Sequence, residues 1–289
     1  MLNKVSGQSA VLRHDPLNPF SLSDNIIYYL YKSRSGDAWV GTTYGGADYM
    51  SHEEFRFDVY GLWSGLAGRI VIGMAQGPDN RIWIGTEDKG LFTLNPSTGV
   101  VTPVSGVPPL CVSTLFLTRF NGSVYAGFTR GGLIKIDSDG RFSSVLDISE
   151  ADNSVYSYIK DSRGNEWVGL GYALYRRNAG SAEFVHVSET GFCWIFNMFE
   201  AHDGTIWIAT MGNGVWKYNP STGKFKCYQY NDDVGCGLRS NNISSVMEDS
   251  RGRIWISTDR GGISRYNSKQ DNFTSFGIEE GLPDDVAYN

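Results

Sequence analysis

The chain has 289 residues, of which 41% are hydrophobic and 19% charged, with a formal net charge of −6 and a pI near 5.3. Such a length can bury a large core, and the acidic balance with scattered Lys and Arg argues against nucleic acid or anionic membrane as a general partner. No apolar stretch approaches membrane-spanning length, and Met1-Leu2-Asn3-Lys4-Val5-Ser6-Gly7 lacks the apolar centre of a signal peptide.

Along the chain, residues 1–25 align with an outer strand and its connecting loop, since Leu22-Ser23-Asp24-Asn25 parallels Leu238-Arg239-Ser240-Asn241. A short motif then recurs: Trp39-Val40-Gly41-Thr42, Trp83-Ile84-Gly85-Thr86, Tyr125-Ala126-Gly127-Phe128, Trp167-Val168-Gly169-Leu170, Trp207-Ile208-Ala209-Thr210 and Trp255-Ile256-Ser257-Thr258. The first residues are 44, 42, 42, 40 and 48 positions apart. A period in the low forties means one supersecondary unit copied in tandem.

Each copy opens on an apolar strand such as Ile26 to Leu30 or Ile195 to Phe199, then turns at a cluster such as Asp161-Ser162-Arg163-Gly164 or Asp249-Ser250-Arg251-Gly252. The Trp strand follows, then a Gly-rich turn such as Lys89-Gly90 or Arg260-Gly261-Gly262, and a third strand such as Val215 to Tyr218. A second turn, Asn95-Pro96-Ser97-Thr98-Gly99 or Asn219-Pro220-Ser221-Thr222-Gly223, leads to a fourth strand. Gly and Asn take positive φ cheaply, as tight hairpins require. Four strands in about 40–45 residues is one propeller blade, whereas β-solenoid repeats are shorter.

The fold expected is therefore all-β: a β-propeller with six complete four-stranded blades plus partial strands of a seventh, part of a seven-bladed or longer array. Residues 1–289 read as a single propeller segment. Its blades span 26–60, 69–106, 111–148, 153–190, 193–230 and 241–277, the outer strand of a preceding blade lies in 1–25, and 281–289 starts the next blade. A Trp copied at a fixed place in every blade should wedge between neighbouring blades, burying a large apolar area. Cys111 and Cys193, at equivalent places two blades apart, should be too distant to bridge. Cys227 and Cys236 are close enough in sequence to meet across one loop.

The aromatic-[Ile/Val]-Gly-Thr strand, the Asp-x-x-Gly turn before it and Gly281-Leu282-Pro283 entering the next blade resemble the two-component regulator propeller repeat. The copy from Asp249 to Thr258 is the clearest, and the blades at Tyr125 and Leu170 depart from the pattern. The resemblance implies the periplasmic sensor region of Bacteroidetes hybrid histidine kinases, in which propellers precede an immunoglobulin-like domain and a membrane span. It implies a non-catalytic sensor or scaffold, linked to oligosaccharide sensing, with any kinase activity outside these residues. The partners it implies are an oligosaccharide, a neighbouring propeller or immunoglobulin-like domain of the same receptor, and a second receptor subunit.

The turn after the Trp strand and the loop between blades share one face. Variable loops on a regular scaffold commonly carry binding, and this face varies most, in Gly61 to Arg69, Gly191 to Trp194 and Asn231 to Asn242. Trp63 and Trp194 stand outside the repeated aromatic position, and Tyr44, Tyr172, Arg130 and Arg260 stand in the turn after the Trp strand. An aromatic platform with nearby guanidinium groups suits a sugar ring, neutral or acidic. These six are the candidate ligand-binding residues. The alternative is that Trp63 plugs the channel and the arginines make rim salt bridges.

For catalysis the residues offer less. His14 and His186 fall on outer strands, His52 near the second turn and His202 in an Asp-x-x-Gly turn on the opposite face. None is placed for a metal or an acid–base cluster, so no catalytic residue, metal ligand or cofactor is expected. Two other classes stay open: a propeller enzyme, lyase or glycan-active, and a plain protein-interaction propeller. The lyase precedent opens a cyclic antibiotic and needs a loop-face His.

Overall fold

Short runs of alternating apolar and polar residues, broken by Gly, Asn and Asp, give short antiparallel strands joined by tight hairpins. The computed structural model describes residues 11–16, 18, 20–51, 57–68, 70–77, 79–111, 113–137, 139–146, 154–191, 193–230 and 237–282. Among them the fold is all-β, a β-propeller in which six four-stranded antiparallel sheets form six blades. The chain divides into two compact units, Met1–Val145 and Leu146–Asn289.

The first unit holds three blades. Blade one is β1 (Ile27–Lys32), β2 (Ala38–Thr42), β3 (Ala47–Met50) and β4 (Phe57–Tyr60). Blade two is β5 (Val71–Gln76), β6 (Ile82–Thr86), β7 (Gly90–Asn95) and β8 (Val100–Pro103). Blade three is β9 (Thr114–Phe120), β10 (Ser123–Phe128), β11 (Gly132–Ile136) and β12 (Phe142–Leu146), whose last residue passes the unit boundary. Here β5 packs against β1 and β9 against β5, so Trp39 is buried with Ile82, Ile84 and Leu94 of the next blade.

The second unit repeats the plan. Blade four is β13 (Val155–Lys160), β14 (Glu166–Leu170), β15 (Leu174–Arg177) and β16 (Val185–His186). Blade five is β17 (Trp194–Glu200), β18 (Ile206–Met211), β19 (Val215–Asn219) and β20 (Lys224–Tyr228). Blade six is β21 (Ile243–Glu248), β22 (Ile254–Thr258), β23 (Ile263–Asn267) and β24 (Asn272–Phe276). Among the described residues no strand pairs into a seventh sheet. The described part of 1–25 forms turns from which Leu22 reaches Val40 and Met50, rather than a hydrogen-bonded strand. Residues 1–10 and 283–289 lie outside the described residues.

Each letter of the repeated motif has a physical reason. The aromatic is buried in blades one to five, and Tyr218 and Tyr266 of the following blades sit 5.0 Å and 4.8 Å from Trp167 and Trp207. Trp255 departs from this and is half-buried, with no strand of a further blade beside it among the described residues. The third letter faces the next blade. A Cβ on Gly85 would lie 2.5 Å from Thr114 Cγ2, and one on Gly169 2.4 Å from Ile195 Cγ2. The Thr hydroxyls of Thr42, Thr86, Thr210 and Thr258 donate to the carbonyls of Gly46, Gly90, Gly214 and Gly262, stapling the following turn. Blade four has Leu170 there because its turn is one residue shorter: Gly169 pairs with Leu174, five positions on, where Gly85 pairs with Leu91, six on.

The Asp-x-x-Gly turns are structural hubs. Asp161 accepts the backbone N–H groups of Arg163 and Asn165, the Asn165 amide and the Trp167 indole N–H. Asp249 does the same for Arg251, Arg253 and the Trp255 indole. Gly77 and Ala201 occupy this place before Trp83 and Trp207, whose buried indole nitrogens have no hydrogen-bond partner among the described residues.

Candidate functional site

Every blade carries a β-bulge near the start of its first strand, which displaces one residue from the ladder. The displaced residues are Tyr28, Ile72, Leu115, Tyr156, Phe196 and Ser244. A bulge bends the strand and re-aims the side chain it frees. In blades four and five the freed residues are both aromatic and meet each other, and Tyr156 also meets a third ring two positions before the second bulge.

Tyr156 stacks on Trp194 with ring centroids 5.9 Å apart and planes at 20°, and on Phe196 at 6.1 Å and 25°. Tyr172 approaches Trp194 from the short turn of blade four, at 6.3 Å and 58°. That turn is fixed by the Leu170 N–H donating to the Ala173 carbonyl and the Gly171 N–H donating to the Ser154 carbonyl. Tyr172 and Trp194 each keep 38% of their surface exposed. The result is a ledge of four rings, open to solvent on two of them.

Of the six sequence candidates, the structure brings together Tyr172 and Trp194. Arg260 stands in the blade-six turn at a φ of 60°, its side chain 85% exposed and 3.9 Å from Asp259. Tyr44, 68% exposed, and Arg130, at a φ of 67°, belong to turns of the first unit. Trp63 lies in a 3-10 turn, Leu62–Ser64, closed by the Leu66 N–H donating to the Gly61 carbonyl; its side chain is outside the described residues. Residues 231–236, half of the loop from Asn231 to Asn242, are outside them too.

Tyr156 and Phe196 are the residues that sequence reading missed. The signal was there in part, because Val155-Tyr156-Ser157 and Ile195-Phe196-Asn197 occupy the same repeat position. Alternation alone assigns them to one face of a regular strand and gives no hint of the bulge.

Other reactive groups lie elsewhere. His14 sits in the N-terminal segment, its Nδ1 2.6 Å from the Leu22 carbonyl, and His186 packs on Tyr175. His202, in the blade-five turn, pairs with Glu248 of blade six, which raises its pKa first through the hydrogen bond and then through charge. His52 is outside the described residues. Cys111 and Cys193 are buried free thiols, and burial pushes Cys111 up to about 11. The Cys227 thiol donates to the Asn213 carbonyl, while Cys236 is outside the described residues, and with it the bridge between the two. A cavity of about 220 Å³ lined by Arg81, Thr93, Asn95, Thr98, Val100 and Thr102 lies by the Asn-Pro-Ser-Thr-Gly turn of blade two. It contains none of the candidates.

The signature of the two component regulator propeller matches residues 65–88 and 237–260, so the chain carries two-component regulator propeller repeats. No curated protein matches the sequence significantly. Among solved structures, the chain is similar to the extracellular domain ascribed to the hybrid two component system BT3049 of B. thetaiotaomicron. The two share 24% identity at a TM-score of 0.71, over 88% of this chain and 35% of that one. It is also similar to PorZ, a surface component of the type-IX secretion system of Porphyromonas gingivalis, at 16% identity and a TM-score of 0.63, over 90% and 39%. Virginiamycin B lyase of Staphylococcus aureus is similar at 14% identity and a TM-score of 0.66, over 86% and 83%. The chain thus spans little more than a third of the first two, and at these identities the likeness establishes the propeller fold.

Proposed function

We propose that this chain, built of two-component regulator propeller repeats, is a sensor or scaffold propeller in the extracytoplasmic part of a two-component receptor and performs no catalysis itself. An oligosaccharide docks on the ledge formed by Tyr156, Tyr172, Trp194 and Phe196. A neighbouring propeller or immunoglobulin-like domain of the same receptor and a second receptor subunit are the protein partners, and the compartment is the periplasm. The repeat signature and the similarity to the BT3049 extracellular domain support the receptor reading. The single observation carrying the ligand reading is the exposed Tyr172–Trp194 pair backed by two further rings.

The chemistry is that of sugar recognition on an aromatic face. The C–H faces of a pyranose are apolar and stack on indole or phenol rings, while the hydroxyls stay in water. Affinity is expected to be modest, because ordering a flexible glycan costs entropy and an open ledge buries little of it. The lyase likeness leaves an enzyme as the competing reading, and it predicts product formation.

Tryptophan fluorescence of the chain, titrated with a panel of plant and host glycan fragments, tests the proposal. A saturable response with the fragment recovered intact is expected. Cleavage or elimination of a fragment would favour the enzyme. A longer receptor fragment that responds while this chain stays silent would leave it a scaffold role.

A further inference from the structure

The third strands place Asp48, Phe92, Ile134, Tyr175, Trp216 and Ser264 at one repeat position, and Asp48 alone carries a carboxylate. Asp48 lies between Val40 on β2 and Val59 on β4 and is fully buried. Leu22 covers the same sheet face, against Val40 and Met50. Asp48 Oδ2 accepts the Ser23 N–H at 3.0 Å, whereas the buried Oδ1 has no hydrogen-bond partner among the described residues. The neighbouring Thr42 hydroxyl is committed to the Gly46 carbonyl and lies 3.1 Å from Ser23 Oγ.

An ionised carboxylate with one buried oxygen unpaired is costly, and protonation removes most of that cost. Burial pushes Asp48 up to about 6, against the opposing hydrogen bonds from the Ser23 backbone and side chain. The titratable groups facing it, His14 and Asp24, both belong to the segment above it. That segment is otherwise held by Asp24, which accepts the N–H groups of Tyr44 and Ile26, and by the His14 N–H donating to Asn25.

We propose that Asp48 is a proton-operated clasp: protonated, it holds residues 20–25 over blade one, and ionised, it releases them and uncovers Val40 and Met50. The folded pKa stands above the ordinary value of 3.8, so the hold is complete below about pH 4 and is lost as pH rises through about 6.

Amide hydrogen exchange of the 289-residue chain, from about pH 4.5 to about pH 8 and corrected for intrinsic rates, tests this. Protection of the Ser23 and Tyr44 N–H groups should fall by about 30-fold over the range, the part of the shift that lies above about pH 4.5. The near-isosteric Asp48→Asn should stay protected throughout, and His14→Gln should keep the wild-type response. Unchanged protection in the wild type, a response surviving in Asp48→Asn, or its loss in His14→Gln would overturn the clasp. Should Asp48→Asn not fold, infrared spectroscopy of the wild type decides. A carboxyl band that titrates near pH 6, apart from the ordinary acids that titrate near about pH 4, supports the proposal, and the absence of such a band refutes it.

Discussion

Asp161 and Asp249 each gather four donors, one of them the indole N–H of the blade's own Trp six residues on. Removing such an acceptor strands buried donors, and each costs about 1–3 kcal/mol. Asp161→Ala should therefore lower stability by about 2–4 kcal/mol in urea unfolding, whereas a surface Asp→Ala change should do almost nothing. The converse is also testable. Ala201→Asn offers the Trp207 indole an acceptor without adding charge beside Asp203, and should gain about 1 kcal/mol; no gain would mean that the N–H is already satisfied. Reading these Asp residues as turn formers was sound from the sequence. Their bond to the Trp was not legible, because it joins two motifs whose spacing carries no chemistry until the hairpin folds. His202 belongs to this scale too. Its pKa is raised by Glu248, so the pairing helps below the ordinary value of 6.5 and is lost as pH rises through the raised one. An NMR titration should find the imidazole titrating above 6.5, and Glu248→Gln should return it towards that value.

At the scale of the element, the second strand of each blade is shaped by what the next blade needs. Gly169 faces Ile195 so closely that a Cβ would also lie 3.1 Å from the Ile195 carbonyl oxygen, which cannot move aside as a side-chain tip can. Gly169→Val should cost at least the 1–3 kcal/mol typical of overpacking, read as a lower thermal midpoint, while Ala209→Gly in the same place of blade five should cost less. The six aromatic motifs and the turns around them were legible because turn chemistry and Trp spacing are local. The bulges were not, and they shape the aromatic ledge. Trp194 was picked out because it stands outside the repeated aromatic position, and Tyr172 because it stands in the turn after the Trp strand, whereas Tyr156 and Phe196 fall inside the repeat and looked structural. Trp63 was picked out on the same ground as Trp194, and Tyr44, Arg130 and Arg260 on the same ground as Tyr172; such grounds name candidates and carry no information on which side chains meet.

For the whole molecule, the repeat makes each blade a reporter of its neighbours. Trp207 is buried beneath Tyr266, whereas Trp255, in the same place of blade six, is half-buried with Arg265 stacked 5.9 Å from its ring. Trp207→Ala should cost about 3–5 kcal/mol, as a large buried aromatic does, and Trp255→Ala distinctly less. Equal losses would show that Trp255 is as enclosed as the others. The central claim is that ligand meets this propeller on the aromatic ledge of blades four and five. Its most direct test takes a glycan fragment that binds and measures its affinity by calorimetry for Trp194→Ala and Tyr156→Ala, against Tyr44→Ala and Arg130→Ala in the first unit. The account predicts a loss of about tenfold or more, some 1.4 kcal/mol, for the first pair and wild-type affinity for the second. Unchanged binding in Trp194→Ala, or a loss confined to Tyr44→Ala and Arg130→Ala, would contradict it.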